Sequence, residues 1–274
     1  MFPYFLLYTY LVVFLIFSKN IKTHLFYYLS FFILVIFSSL RFDIGIDFMN
    51  YYFSIDDFKE GKALFLFEPL NMVIIDMINY FDMNKQIFFI IYAIFTLLGI
   101  FYFIKKLSPS KELSVFIFVT AGIFYFSTFN GLRQWMAISI VLIGLVKLIE
   151  KKNIEFFLYV FLASLFHLSA LIALLLFFIK RRFNFLQVLI FAISLFMGSL
   201  FMIDIISHTK YIIYLEELRF DKSPNPILLI AYVLIFSFIP IFLGYFLKEK
   251  ALSSKEIILS NMNLCSIFIL LIGY

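Results

Sequence analysis

The chain has 274 residues, of which 64% are hydrophobic and only 14% are charged. Its mean hydropathy of +1.06 and its 42 phenylalanines exclude an ordinary soluble domain. The net charge of +5 does not indicate nucleic-acid binding, because most lysines and arginines lie in short loops between apolar runs. Runs of membrane length recur from end to end, so the composition predicts an all-α, polytopic integral membrane protein.

Apolar runs predict about ten transmembrane helices, in chain order at 4–18, 25–40, 86–104, 112–129, 133–149, 154–167, 169–180, 185–203, 227–247 and 257–273. The stretch 154–180 allows either one long helix or two short helices that turn at His167. Basic clusters precede and follow it, and only the hairpin leaves both clusters on one side of the membrane. We therefore favour the hairpin.

Loop charge sets the predicted orientation. With positive loops inside, 14 of the 22 lysines and arginines fall on the inner side and 12 of the 17 acids fall outside. Both termini are then outside. No repeat or linker divides the chain, so we predict a single membrane domain over 1–274, and its end close behind an apolar run is consistent with a truncated C-terminus.

Two predicted outer segments, 41–85 and 204–226, are too long to be turns. In the first, Glu68 and Pro69 precede the apolar stretch 70–80, which is too short to span a bilayer. We predict a re-entrant or interfacial outer helix there, with Pro69 in its first turn. The second segment is rich in tyrosine and charge, which favours a surface or lid segment.

Five ionisable residues share the outer side of this threading, namely Arg41, Asp47, Glu68, Arg133 and His167. An ionisable group near a membrane helix is costly, so each one is a hypothesis for a functional site. Arg41 can hold a phosphate as a planar fork, or it can snorkel to the interface beside an acidic partner. His167 can accept a proton from a hydroxyl, or it can end a helix as a hydrogen-bonded structural residue.

Asn130, Arg133 and Gln134 lie together where two predicted spans meet outside. Asn130 is a residue type that caps helices, which is its structural interpretation. Arg133 would then lie in the first helical turn, where a cation opposes the helix dipole but adds to an anion-binding site formed by free N–H groups. We favour anion binding at Arg133 over an interface anchor.

Metal and nucleotide chemistry find little support in the sequence. Three histidines spread over both predicted sides and one cysteine do not form a transition-metal site. Neither a phosphate loop nor a dinucleotide fingerprint is present. The sequence therefore predicts no metal site and no nucleotide cofactor.

The polar motifs, in their order, resemble the EpsG-like branch of the Wzy-type polysaccharide polymerases. The motifs that carry the resemblance are Arg41-x3-Gly45-x-Asp47-x3-Tyr51, Glu68-Pro69, Phe129-Asn130-x2-Arg133-Gln134 with Ala137, and Phe166-His167-x-Ser169-Ala170. The similarity covers roughly residues 40–180. Beyond it, Tyr211, Tyr214 and Arg219 are the candidates for a further contribution to the site.

The resemblance implies a membrane glycosyltransferase of capsule, exopolysaccharide or O-antigen synthesis, in the bacterial cell (inner) membrane. It implies that a glycan moves from a polyprenyl-diphosphate carrier to a sugar hydroxyl of another lipid-linked unit, on the extracytoplasmic side. Arg133 and Arg41 are then the expected cations at the diphosphate. His167 is the expected base, with Asp47 and Glu68 as competitors. Substrate contacts are expected from Asn130, Gln134, Gly45, Tyr51 and Ser169.

Two alternatives remain open at this point. A ligase would move the same glycan to a different acceptor. A flippase or precursor transporter, from another class, would place ionisable groups near the bilayer midplane, whereas here they gather on one face. The expected partners are the lipid-linked donor and acceptor, the bilayer, and a flippase and chain-length regulator of the same pathway, but not nucleic acid.

Cysteine labelling from outside the cell tests the threading. In a Cys265→Ser background, Asp57→Cys and Asp221→Cys should be modified by a membrane-impermeant thiol reagent, and Lys152→Cys should be protected, because the positive loops lie inside. Labelling at 152 together with protection at 221 would reverse the orientation.

Overall fold

The computed structural model describes residues 2–18, 25–60, 68–121, 124–180, 253 and 255–259. Within these residues the chain is helical and contains no strand, which confirms the predicted all-α class. The chain divides into two compact units, Met1–Leu174 and Leu175–Tyr274. All the side chains of the site described below lie in the first unit.

The described residues of the first unit form eight α-helices, which are α1 (Phe2–Ser18), α2 (Leu25–Ser39), α3 (Phe48–Lys59), α4 (Pro69–Tyr80), α5 (Gln86–Leu107), α6 (Lys111–Thr120), α7 (Leu132–Ile149) and α8 (Asn153–Ser164). Two 3-10 segments cover Phe126–Phe129 and Leu168–Lys180. In this part of the chain α5, with 22 residues, and α7, with 18, are long and apolar enough to cross a membrane. Shorter apolar helices accompany them, and the count of about ten crossings stays a prediction.

Most predicted helices lie close to observed ones, but the predicted span 112–129 is wrong as a single helix. Helix α6 ends at Thr120, and a separate 3-10 turn follows from Phe126. The backbone N–H of Tyr125 donates to the carbonyl of Phe118, and the buried Tyr125 hydroxyl donates to the carbonyl of Leu34 on α2 at 2.7 Å. The chain therefore folds back to bury this tyrosine. The predicted spans 185–203 and 227–247, and most of 257–273, lie outside the described residues.

The predicted interruption near His167 is present. Helix α8 ends at Ser164, and the 3-10 segment begins at Leu168, so His167 lies between two helical segments. Its backbone N–H still donates to the carbonyl of Ala163 at 3.0 Å, which fixes it to the last turn of α8. The direction of the chain after this break stays a prediction.

The first predicted outer segment, 41–85, contains two helices. Helix α4 matches the predicted stretch, and Pro69 occupies its first turn, where a missing N–H costs nothing. Its buried residues Asn71, Ile75 and Ile78 follow helical spacing and form one inward face. Helix α3 was not predicted. It is short, and the charged residues in its C-terminal half interrupt the apolar pattern to which the buried Phe48 and Ile55 belong.

Helix α5 joins the two hydrophobic clusters of the first unit. One cluster packs α5 against α1, α2 and α6, and the other packs it against α3, α4, α7 and α8. Where α5 meets α7, a Cβ added to Gly99 would lie 2.6 Å from the backbone oxygen of Ser139. Where α7 meets α8, a Cβ on Gly144 would lie 2.9 Å from Cβ of Tyr159. Glycine therefore sets how closely α7 approaches both neighbours.

Gly99→Ala should destabilise the protein even though alanine favours helices. The helix-propensity gain is about 1 kcal/mol, but the new methyl meets a backbone oxygen that no side-chain rotation can move, and overpacking costs about 1–3 kcal/mol. Thermal unfolding of detergent-purified protein measures the effect, with Leu98→Ala, at an exposed position of the same helix, as the control. An unfolding midpoint for Gly99→Ala at or above that of the unmodified protein would contradict the close approach.

Candidate active site

The carboxylate of Glu68 bridges Arg133 and His167. Oε2 of Glu68 lies 2.6 Å from Nη1 of Arg133, and Oε1 lies 3.1 Å from Nδ1 of His167. The side chains of Glu68 and Arg133 are only 12% and 16% exposed, whereas His167 is 30% exposed. The cluster is therefore mostly buried and opens at the histidine. We name these three residues the Glu–Arg–His cluster.

Each member of this cluster stands at the end of a helix. Glu68 is the N-cap of α4, Arg133 is the second residue of α7, and His167 follows the end of α8. The backbone N–H of Leu70 donates to the carbonyl of Leu165 at 3.2 Å, which ties the start of α4 to the end of α8. Packing of α7 along α8 brings the third helix end to the same place.

Electrostatics keep the Glu68 carboxyl group ionised. Burial alone would raise its pKa, but the hydrogen bond from His167 and the positive charge of Arg133 outweigh burial and lower the pKa below its ordinary value. An ionised carboxylate only accepts hydrogen bonds, so Nδ1 of His167 is the donor. In the neutral ring, the other nitrogen, Nε2, then carries the free lone pair. This arrangement suits a general base.

Sequence reasoning missed two residues beneath the cluster, Asn71 and Tyr92. Both are fully buried. Nδ2 of Asn71 donates to Oε2 of Glu68 at 3.2 Å and to the carbonyl of Phe166 at 2.9 Å, while its Oδ1 accepts from the hydroxyl of Tyr92. The available signal was an asparagine three residues after Glu68 on the inward face of a short apolar helix. Tyr92 carried no signal, since it lies within an aromatic-rich span.

Tyr51 joins the cluster from α3. Its hydroxyl lies beside the guanidinium of Arg133, and burial raises the pKa of Tyr51 while the Arg133 charge partly offsets that rise. The phenol is therefore protonated over the physiological range. It can donate a hydrogen bond at the same place where Arg133 offers a cation.

Arg41 lies apart from the cluster and holds the backbone. It is only 3% exposed, and it donates to the carbonyl of Ser38 at 3.1 Å and to the carbonyl of Phe129 at 3.2 Å. Its guanidinium carbon lies 4.6 Å from the ring centroid of Phe129. Burial lowers the pKa of Arg41 to about 10. These contacts fix the turn that precedes α7, and hence Arg133.

Gly45 and Asp47 fasten the same turn. Gly45 has φ +106°, and a Cβ there would lie 2.7 Å from Oδ1 of Asn130. Oδ2 of Asp47 accepts from the backbone N–H of Gly131 at 2.8 Å. Gly131, in the left-handed region with φ +51°, is the N-cap of α7, so the structural interpretation of Asn130 as the cap is wrong. The reason is that Asp47, from another part of the chain, supplies the carboxylate at this helix end.

A scan against protein families matches the EpsG family over residues 24–274. The chain belongs to the EpsG family. This match confirms the resemblance found in the sequence. Comparisons with curated proteins and with solved structures each found no match. Family membership and the apolar helices indicate a membrane protein with a polymerase-like role in polysaccharide biosynthesis.

Among the described residues of this EpsG-family chain, the predicted site residues Asn130, Gln134 and Ser169 form no hydrogen bond with the Glu–Arg–His cluster. Gln134 and Ser169 are exposed, and Oδ1 of Asn130 is buried without a hydrogen-bond partner among the described residues. Tyr211, Tyr214 and Arg219 lie outside the described residues. Within the described part of the chain, no three His, Cys, Asp or Glu side chains converge as metal ligands. Metal independence stays a prediction.

Arg41→Lys should lower the stability of the EpsG-family fold rather than its chemistry. A single ammonium cannot reach both carbonyls that the guanidinium spans, and the buried charge loses hydrogen bonds, which costs about 1–3 kcal/mol. The thermal midpoint should fall by several degrees, while polymer made per folded molecule should hold. The control is Lys106→Gln, which changes a lysine that is exposed. An unchanged midpoint together with lost polymer would instead assign Arg41 a direct role at the substrate.

Proposed function

We propose that this chain polymerises a bacterial surface polysaccharide at the outer face of the cell membrane. It transfers a glycan from a polyprenyl-diphosphate carrier to a sugar hydroxyl of a second lipid-linked repeat unit. Membership of the EpsG family supports the reaction class. The Glu–Arg–His cluster carries the proposal, because it places a base and a fixed cation together at one half-open position.

The reaction needs both groups. The attacking sugar hydroxyl loses a proton as its oxygen bonds to the anomeric carbon of the donor. The bond from that carbon to the diphosphate oxygen breaks, and the bonding electron pair leaves with the carrier diphosphate. Proton acceptance activates the nucleophile, and a nearby cation stabilises the growing charge of the leaving group.

His167 is the base in this proposal. Its Nδ1 is bound to Glu68, which leaves Nε2 to accept the hydroxyl proton. The two competing carboxylates are already occupied. Glu68 accepts hydrogen bonds from Arg133, His167 and Asn71, and Asp47 accepts from the N–H of Gly131. Glu68, which several donors stabilise, is a weaker base, and Asp47 binds the backbone of the turn before α7, so the histidine is favoured.

Arg133 is the cation for the diphosphate. It lies in the first turn of α7, where backbone N–H groups and the helix dipole add to its positive charge. Its pairing with Glu68 makes the resting cluster neutral in total when His167 is neutral. Proton transfer to His167 gives the cluster one positive charge at the moment when the diphosphate gains negative charge. The hydroxyl of Tyr51 provides a further donor to the same anion.

Polymer length on a gel, from cells that lack the native gene and carry each variant, tests this function. His167→Gln keeps a hydrogen-bonding side chain but cannot take the proton at neutral pH, so the rate should fall by about 10²–10⁴. Arg133→Lys keeps the charge but loses the planar fork, so polymer should be absent or short. Both variants should accumulate single repeat units on the carrier while protein levels hold.

Two conservative changes serve as controls for this experiment. His24→Gln alters a histidine of a predicted inner loop, and Lys147→Arg exchanges cations at the far end of α7. Both should give normal polymer. Full-length polymer from His167→Gln at near the unmodified rate would make that histidine structural. Single units transferred efficiently to an acceptor other than a second repeat unit would identify a ligase.

A further inference from the structure

Beneath the Glu–Arg–His cluster lies a buried hydrogen-bond path whose inner members, Asn71 and Tyr92, have no direct role in the reaction above. It begins at the hydroxyl of Tyr92 on α5, passes through the amide of Asn71 on α4, and ends at the carboxylate of Glu68. Tyr92 and Asn71 are both 0% exposed. Neither side chain reaches the open side of the cluster, so neither can touch a substrate directly.

Both the nitrogen and the oxygen of the Asn71 side-chain amide have hydrogen-bond partners. One N–H donates to Oε2 of Glu68, and Nδ2 also donates to the carbonyl of Phe166, the residue before His167. Both partners only accept, so the NH₂ group must face them. The carbonyl oxygen then faces Tyr92, whose hydroxyl supplies the one donor that it needs. The orientation of the amide is thereby determined without ambiguity.

The side chain of Asn71 is connected to His167 in two ways, through the Glu68 carboxylate and through the backbone before the histidine. Asn71 holds Oε2 of Glu68, while Oε1 of the same carboxylate holds Nδ1 of His167. Asn71 also holds the backbone immediately before that histidine. Glu68 and the ring of His167 are therefore fixed with respect to the same amide. A buried polar network is costly unless its members are paired, and in this path the Asn71 amide, the Tyr92 hydroxyl and both Glu68 oxygens have partners.

We propose that Asn71 and Tyr92 are positioning residues: they hold the Glu68 carboxylate so that it accepts from Nδ1 of His167, which leaves Nε2 of His167 as the proton acceptor for the attacking hydroxyl. The inference rests on the proposed function for the use of Nε2. The hydrogen-bond order itself does not depend on the substrate. It can be measured in the protein alone.

Nitrogen NMR of the full chain, labelled with ¹⁵N-histidine and embedded in lipid nanodiscs, measures which ring nitrogen of His167 carries the proton. The chain has 3 histidines, and the signals absent from His167→Gln identify that residue. At mildly alkaline pH, where a histidine ring is ordinarily neutral, the two ring nitrogens show which one carries the proton. We expect a single His167 tautomer with the proton on Nδ1.

Two variants interrupt the path, and each has a matched control. Tyr92→Phe removes one oxygen, and Asn71→Asp replaces the donor to Glu68 by an acceptor of the same shape. Both should give a second His167 signal from the tautomer protonated at Nε2, and Tyr92→Phe should slow polymer formation by about tenfold or less. The controls are Tyr125→Phe, an equally buried tyrosine that donates to Leu34, and Asn79→Asp, an asparagine of α4 that donates to Ile55. Both controls should keep the single tautomer.

The possible outcomes separate this inference from the function it rests on. A single Nδ1 tautomer in Tyr92→Phe and Asn71→Asp would overturn the positioning role, as would an Nε2-protonated ring in the unmodified protein or equal changes in the controls. If Asn71→Asp does not fold, Tyr92→Phe alone decides. Normal polymer from His167→Gln would remove the proposed function yet leave the tautomer result standing.

Discussion

An ionised carboxylate in a mostly hydrocarbon chain is the constraint on which the site depends. Glu68 is 12% exposed at its side chain, and a charge buried to that degree persists only with partners that offset lost hydration. Arg133 and His167 supply two of these partners from distant parts of the chain, and Asn71 supplies a third from the first turn of α4. The ends of α4, α7 and α8 must therefore meet at this carboxylate.

The contacts around the cluster divide into two kinds. Arg41, Gly45 and Asp47 fix the turn that leads into α7, and they act on the backbone. Glu68, Arg133 and His167 contact one another through side chains and leave one imidazole nitrogen free of the carboxylate. A buried ion pair is weak evidence for stability, because hydrophobic residues often replace it without loss. This pair lies at a half-open position beside a histidine, which is the reason that we propose a chemical role for it.

Local sequence pattern and the order of the motifs predicted much of the helical structure and the members of the site. Apolar runs located most helices, Pro69 marked the start of α4, and the costly ionisable residues included all three members of the cluster. The pairing itself was beyond the sequence, because Glu68 lies 65 residues from Arg133 and 99 from His167 along the chain. Helical periodicity reports only neighbours within a few turns.

The same limit explains the residues whose roles changed or were missed. The motif placed Arg41 beside the expected diphosphate. A single sequence does not reveal that the guanidinium of Arg41 donates instead to the backbone carbonyl of Phe129, 88 residues away. Tyr92 resembles any other aromatic residue of its span, and only the fold shows that its hydroxyl meets Asn71. Buried polar pairs of this kind depend on tertiary packing, which local propensity does not encode.

A double-mutant cycle between Glu68→Gln and His167→Gln tests most directly whether the cluster works as one catalytic unit. The measurement is the initial rate of glycan transfer by purified protein in nanodiscs, with the lipid-diphosphate-linked repeat unit of the host cells as donor and acceptor. Groups that act together lose their effect together, so the double variant should be no slower than His167→Gln alone, within about threefold. Rates that fall by the product of the two single effects would show that Glu68 and His167 act independently, and would contradict the account.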